Sequence, residues 1–185
     1  MVLDASKVGR GVTGAVHKLD ADAAAPTSTS SVLDGTDLGW ISSDGVTKSM
    51  PGTGDRTVLR GWQNNGAIFV VRTPTDDLPT YSFVCLQTDV AVIELTYGVT
   101  VTQGATEGSY VVDVNAPRQP QKLVFTVVNG SKIRRDYVPR GVVSEIGDQV
   151  FQFGEPIGYE ITVEAEFDQD LDGNFQVFDT ELKTA

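Results

Sequence analysis

The sequence predicts a mainly β protein with one short helix. Three observations carry that expectation. Apolar residues recur with a period of two in short runs rich in β-branched and aromatic residues, each bounded by Gly, Pro, Asn or Asp. Asn129-Gly130 and Asp172-Gly173 supply residues that tolerate the positive φ of two-residue hairpin turns. One stretch, at about 88–97, carries helix start and stop signals.

In chain order, Val12-Thr-Gly-Ala-Val-His17 reads as a strand near the terminus. Residues 21–54 are small and polar without periodicity around the island Leu38-Gly-Trp-Ile41, and read as a long loop. A loop of that length in a compact domain calls for a functional reason or disorder. Ala67–Val71, Tyr81–Leu86, Tyr110–Val114 and Leu123–Val128 read as strands. In the helix, Thr88 is placed to cap the N-terminus, Asp89 suits the positive dipole end, and Gly98 is placed to close the C-terminus. Val90, Ile93 and Tyr97 share one helical face. The turn signals predict hairpins pairing about 121–128 with 132–139, and about 159–168 with 174–180.

Composition bounds the rest. At 185 residues and 40% hydrophobic, the chain has enough apolar material for one core, so a single domain over 1–185 is expected. The lone Cys85 excludes an intramolecular disulfide, and no apolar run approaches the roughly 20 residues that span a bilayer. Met1-Val-Leu-Asp4 turns polar at once, unlike a signal peptide, so a soluble protein made in a reducing cytoplasm is expected. The formal charge is -11, with a pI of about 4.4, which argues against gripping nucleic acid through phosphate contacts. From Gly141 onward eleven acids stand against Lys183 alone, so ten of the net negative charges fall there.

Catalytic chemistry finds little material. His17 is the only histidine, so any Ser-His-Asp or Cys-His scheme must run through a residue on a predicted strand. Cys85 alternates with Phe83 and Tyr81 and reads as a buried thiol. Gly9-Arg-Gly11 and Gly52-Thr-Gly54 are too short to cradle phosphate, and no cofactor is expected. Asp168, Asp170, Asp172 and Gly173, with Asp179 in twelfth place, match part of a calcium-loop pattern. Their flanks read as strands rather than as an EF-hand's helices, so a solvated turn is preferred and no metal is assigned.

The residues between Leu38 and Tyr97 carry a resemblance. Leu38-Gly-Trp-Ile-Ser-Ser-Asp-Gly-Val-Thr47, Gly61-Trp62-Gln63, Leu86-Gln-Thr-Asp89 and Leu95-Thr-Tyr-Gly98 occur in that order, with an echo in Phe178-Asp-Thr-Glu181. Roughly residues 8–100 thereby resemble the major tail protein, or tail tube protein, of long-tailed, non-contractile actinobacterial bacteriophages. The resemblance implies a β-sandwich or half-barrel with the short helix packed on it, and a structural, non-enzymatic role. It implies rings of subunits, typically hexamers, stacked into a tube through which DNA passes at genome ejection. Its partners would be copies of itself, the tape-measure protein and tail completion proteins; it would sit in the virion tail after synthesis in the host cytoplasm.

Within that frame several residues become candidates. On the period-two reading of 160–168, Ile161, Val163, Ala165 and Phe167 share one face. Glu160, Thr162, Glu164, Glu166 and Asp168 share the other, which is either a solvated wall or the lumen lining. Lys132, Arg134, Arg135 and Arg140 form a solvated face or pair with acids of a neighbouring subunit, a DNA-gripping patch being disfavoured by the overall charge. Trp40 and Trp62 are either core or interface anchors. Residues 21–54 become a stacking arm, and 159–181 an acidic C-terminal hairpin. The alternative reading is a β-sandwich carbohydrate- or surface-binding module, with or without calcium, for which exposed aromatics in a groove are the distinguishing feature.

Overall fold

The hairpin signalled by Asn129-Gly130 forms with its turn one residue later than expected: Asn129 ends its strand opposite Lys132, and Gly130 and Ser131 are the two turn residues. Gly130 takes φ +61 and joins β9 (Gln121–Asn129) to β10 (Lys132–Ile146), with Lys132 opposite Asn129 and Val138 opposite Leu123. The computed structural model describes residues 9, 11–63, 65–73 and 75–182; Met1–Asp4, Arg10 and Lys183, all used above, lie outside them.

A sheet grows from both sides of this hairpin. β1 (Thr13–Leu19) pairs with β9, and the short β2 (Gly35–Asp37) pairs with β1. On the other side β11 (Tyr159–Ala165) pairs with β10, β6 (Thr80–Cys85) with β11, and β3 (Ile41–Ser49) with β6. Every pairing is antiparallel, and β12 (Gln176–Asp179) adds to the first half of β10. The order β2-β1-β9-β10-β11-β6-β3 puts consecutive strands β2 and β3 at opposite ends of the sheet. Yet only Leu38, Gly39 and Trp40 join them, a link of at most about 15 Å at 3.8 Å per Cα step. The sheet therefore curls until its two ends approach, an open half-barrel with no ladder closing it. The bend is placed at Pro139-Arg140, where the β9–β10 register shifts; proline cannot donate to the ladder there. Gly141 follows because a Cβ there would lie 2.8 Å from Val163 and 3.1 Å from Leu123.

The helix α1 (Val90–Tyr97) plugs the concave side. Gly98 closes it at φ +67, donating its N–H to the Glu94 carbonyl as expected. The N-terminus differs from expectation: Asp89 is the cap residue, without a side-chain hydrogen bond, while the Thr88 hydroxyl meets the Tyr159 hydroxyl at 3.1 Å. The expected apolar face of Val90, Ile93 and Tyr97 is also too narrow. Ala91, Val92, Ile93, Leu95 and Thr96 are all buried, because a helix inside a curled sheet is covered on most sides. Thr96 satisfies its hydroxyl on the Val92 carbonyl at 2.7 Å. Leu38, Phe83, Leu123, Ile161 and Val163 complete this core, with Tyr81 stacked on Phe125 at 4.4 Å.

The middle of β9, Leu123–Phe125, and the facing stretch of β10, Arg135–Val138, are buried on both faces. Outside the curl, Leu19, Ala23, Val124 and Tyr137 form a second cluster, joined by Leu33 and Phe178. Arg135 donates to the carbonyls of Ser28 (3.1 Å) and Ser31 (2.9 Å), and Lys122 to that of Ala23 (2.8 Å), so residues 20–34 are pinned to their own sheet. The expected loop over 21–54 is thus corrected: its first half is a packed cover, and its second contains β2 and the nine-residue β3. Polar composition hid β3 because one of its faces is open to solvent.

Two other strand readings change. β12 pairs with β10, Arg134 opposite Asp179, rather than with β11, so the C-terminal hairpin reduces to one Asp168–Gly173 bridge. Tyr110–Val114 is not a strand; its neighbourhood holds only β7 (Thr102–Gln103) and β8 (Gly108–Ser109).

Candidate self-assembly surfaces

The Ala67–Val71 run forms a strand but enters no core. β4 (Asp55–Arg60) and β5 (Ala67–Thr73) pair only with each other, forming a hairpin that stands off the main sheet. Leu59, Ile68, Phe69, Val70 and Val71 are exposed, and Trp62 at the tip is 96% exposed. An isolated two-stranded hairpin is marginal in water, and monomers rarely leave so contiguous an apolar surface bare. Local bonds hold its shape: Arg60 donates to the Asn65 carbonyl at 3.0 Å, Gly61 to that of Gly66 at 3.0 Å, and Arg72 to the Thr53 hydroxyl at 3.1 Å.

A second apolar surface lies between β10 and β11. Val150, Phe151 and Phe153 are exposed on the loop 147–158, whose neck is tied where Gln149 donates to the Gly158 carbonyl at 3.3 Å. Gln149 in turn accepts from the Tyr97 hydroxyl at 3.0 Å. A third, Val111 and Val114, sits on the nearby segment whose Tyr110 stacks on Tyr97.

The residues singled out from sequence divide among these places. Trp40 is 74% exposed and Trp62 more so, which removes both from the core. The four cations do not form one outward patch. Arg135 is buried, and burial pulls its pKa below the ordinary guanidinium value. Lys132 lies 3.1 Å from Glu181, Arg134 3.1 Å from Asp136, and Arg140 2.9 Å from Glu166. Each of these three cations thus has an ion-pair partner within its own chain.

The acidic strand keeps its alternation over β11, with Ile161 and Val163 buried and Glu160 outward. It stops sooner than expected. Glu166 and Asp168 lie past the strand, and Phe167 is exposed rather than core-facing. Beside the outward face of β11, Ser82 meets Thr162 at 2.9 Å and Thr47 stands opposite Ser82, so short hydroxyls cross three strands between the carboxylates.

The calcium-loop residues do not converge. Asp168 spends its carboxylate on the N–H groups of Asp170 and Leu171, Asp172 adopts φ +52 in the turn, and Asp179 accepts from the Glu181 N–H at 2.9 Å. Among the described residues no group of three or more His, Cys, Asp or Glu side chains gathers as a metal site. His17 lies on β1 with its Nε2 3.9 Å from Asp37, and Cys85 is buried, its thiol pushed up to about 12 by desolvation. No helix among the described residues is long and apolar enough to cross a membrane.

Compared with known families, residues 1–178 match the family model described as phage tail tube protein. No curated protein matches the chain.

Proposed function

The chain belongs to the phage tail tube protein family, and from that premise we propose that it is a structural virion subunit whose copies form rings that stack into the tail tube. It works by assembly rather than catalysis, as a single domain over 1–185. The carrying observation is the apolar surface that one copy leaves bare on the β4–β5 hairpin and the 147–158 loop. β3 and β2 are the end strands of the open sheet, and pairing with a neighbour's ends would close a barrel and remove both edges. The ring is a hexamer by the resemblance, with the tape-measure protein inside the tube and tail completion proteins at its end.

Glu160 and Glu164, with the hydroxyls beside them, suit the wall of a conduit for DNA. Duplex DNA carries one charge per roughly 1.7 Å, so a cationic lining would retain it while an acidic one repels it. Glu166 balances Arg140 at the rim of that wall, and Asp168 lies at its turn. Trp40, in the β2–β3 link, is a lateral interface candidate, as are Lys132, Arg134 and Arg140. Light scattering over a concentration series tests the reading: mass should rise in steps to rings and then to long particles. A monomer at every concentration contradicts it.

A further inference from the structure

Two of the three bare apolar surfaces, the β4–β5 hairpin and the 147–158 loop, leave the sheet at its opposite ends. The β4–β5 hairpin leaves from Ser49 and returns at Thr80, and Thr80 pairs with both Ser49 and Glu164. The 147–158 loop leaves from Ile146 and returns at Tyr159, which pairs with Cys85 at the far end of β6. Thr80 to Cys85 is a run of about 17 Å at roughly 3.3 Å per residue, so strand length separates the hairpin from the loop.

Their charges are also opposite. In the hairpin register Arg56 stands directly across from Arg72, a like-charge pair that destabilises two strands unless an anion is near. Among the described residues neither is in an ion pair. The loop carries Asp148 and Glu155 with no cation of its own, and these too are in no ion pair among the described residues. Apolar content and unspent charge of opposite sign thus recur at two ends of one molecule.

We propose that the β4–β5 hairpin of one copy seats on the 147–158 loop of a second copy through the face that carries Arg56, Arg72 and Ile68, with Trp62 and Ile68 against Phe151 and Phe153 and with Arg56 and Arg72 facing Asp148 and Glu155. A contact between two different patches is heterologous, so it propagates instead of stopping at a dimer, and patches at opposite ends of the strands propagate it along the strand direction. The contact rests on the tail-tube reading and assigns its stacking arm to 55–73 in place of 21–54.

Cross-linking between copies tests this. Gln63→Cys and Gln152→Cys place thiols beside Trp62 and Phe151 without removing an apolar side chain, and the native Cys85 is buried. The two variants, mixed and treated with a short bis-maleimide, should give a cross-linked dimer that neither gives alone. Thr106→Cys, on the neighbouring exposed segment, should give none with Gln63→Cys. In a second arm, Arg56→Glu with Arg72→Glu should raise the concentration needed for assembly at least tenfold, and copies carrying Asp148→Arg with Glu155→Arg should restore co-assembly. Tubes that form without the Gln63–Gln152 cross-link, or with a Gln63–Thr106 one, overturn this contact and leave the tube reading intact. A wild-type chain that never assembles removes both.

Discussion

Lys48 Nζ lies 2.7 Å from Asp136 Oδ2, although β3 and β10 stand three positions apart in the sheet. In a flat sheet those strands would be about 14 Å apart, so the pair spans the curl and ties its two walls together. Asp136 is 6% exposed and also accepts from the Tyr81 hydroxyl at 3.2 Å and from Arg134 at 3.1 Å; Lys48 sits 3.4 Å from the Phe175 ring centroid. Removing one partner strands the other charge in a partly buried site. Asp136→Asn should lower unfolding stability by about 3 kcal/mol, and Lys48→Met with Asp136→Leu should recover much of that, because burying neither charge costs less than burying one. Urea unfolding of the two variants and wild type measures both; equal stability of Asp136→Asn and wild type contradicts a role for the pair.

Alkaline pH should loosen the core. Burial raises Cys85 from 9.0 to about 12 and raises Tyr81 further, with the Asp136 charge adding to the Tyr81 effect. Groups whose folded pKa is raised contribute stability that is full below the unfolded value and is lost as pH climbs towards the folded one. The unfolding free energy from urea titration should therefore fall between pH 9 and 12, by up to about 1.4 kcal/mol per pH unit for each group once pH passes its unfolded pKa. Cys85→Ala should flatten part of that slope. An unchanged slope assigns the loss elsewhere.

Arg135 should hold the segment 20–34 in place. Arg135→Met leaves the Ser28 and Ser31 carbonyls without their donor, and a loss of roughly 1–3 kcal/mol is expected. Hydrogen exchange should quicken in residues 20–34 before it does in β9. Uniform exchange across both would show that the cover is held by Ala23 and Leu33 instead.

The lumen assignment predicts a salt-dependent defect. Virions with Glu160→Lys and Glu164→Lys should assemble but release DNA more slowly, since new cations would bind passing phosphate, and raised salt should relieve the delay. Timed ejection at two salt concentrations measures it. Wild-type kinetics would place that face on the outside of the tube.

Much of the fold was legible in the sequence, because period-two runs, the Asn129-Gly130 turn and the Gly98 cap are local signals with local causes. β12 choosing β10 over β11 was not legible, since the second half of a bent strand offers no local sign of what flanks the first. β3 hid in polar composition. The Ala67–Val71 run shows the limit for the candidate surfaces: an apolar strand looks the same whether its own core or another copy is to cover it. Sequence left Trp40 and Trp62 open between core and interface because Trp is enriched in both, and the pairing of Arg134, Arg135 and Arg140 within the chain depends on contacts remote in sequence, except for Asp136 beside them.

Assembly into a hollow tube is the central claim, and electron microscopy of the purified full-length chain tests it most directly. Stacked rings of uniform diameter around an open channel, with the β4–β5 hairpins lying between successive rings, are the predicted result. Discrete monomers or solid, channel-free aggregates under every condition would contradict it.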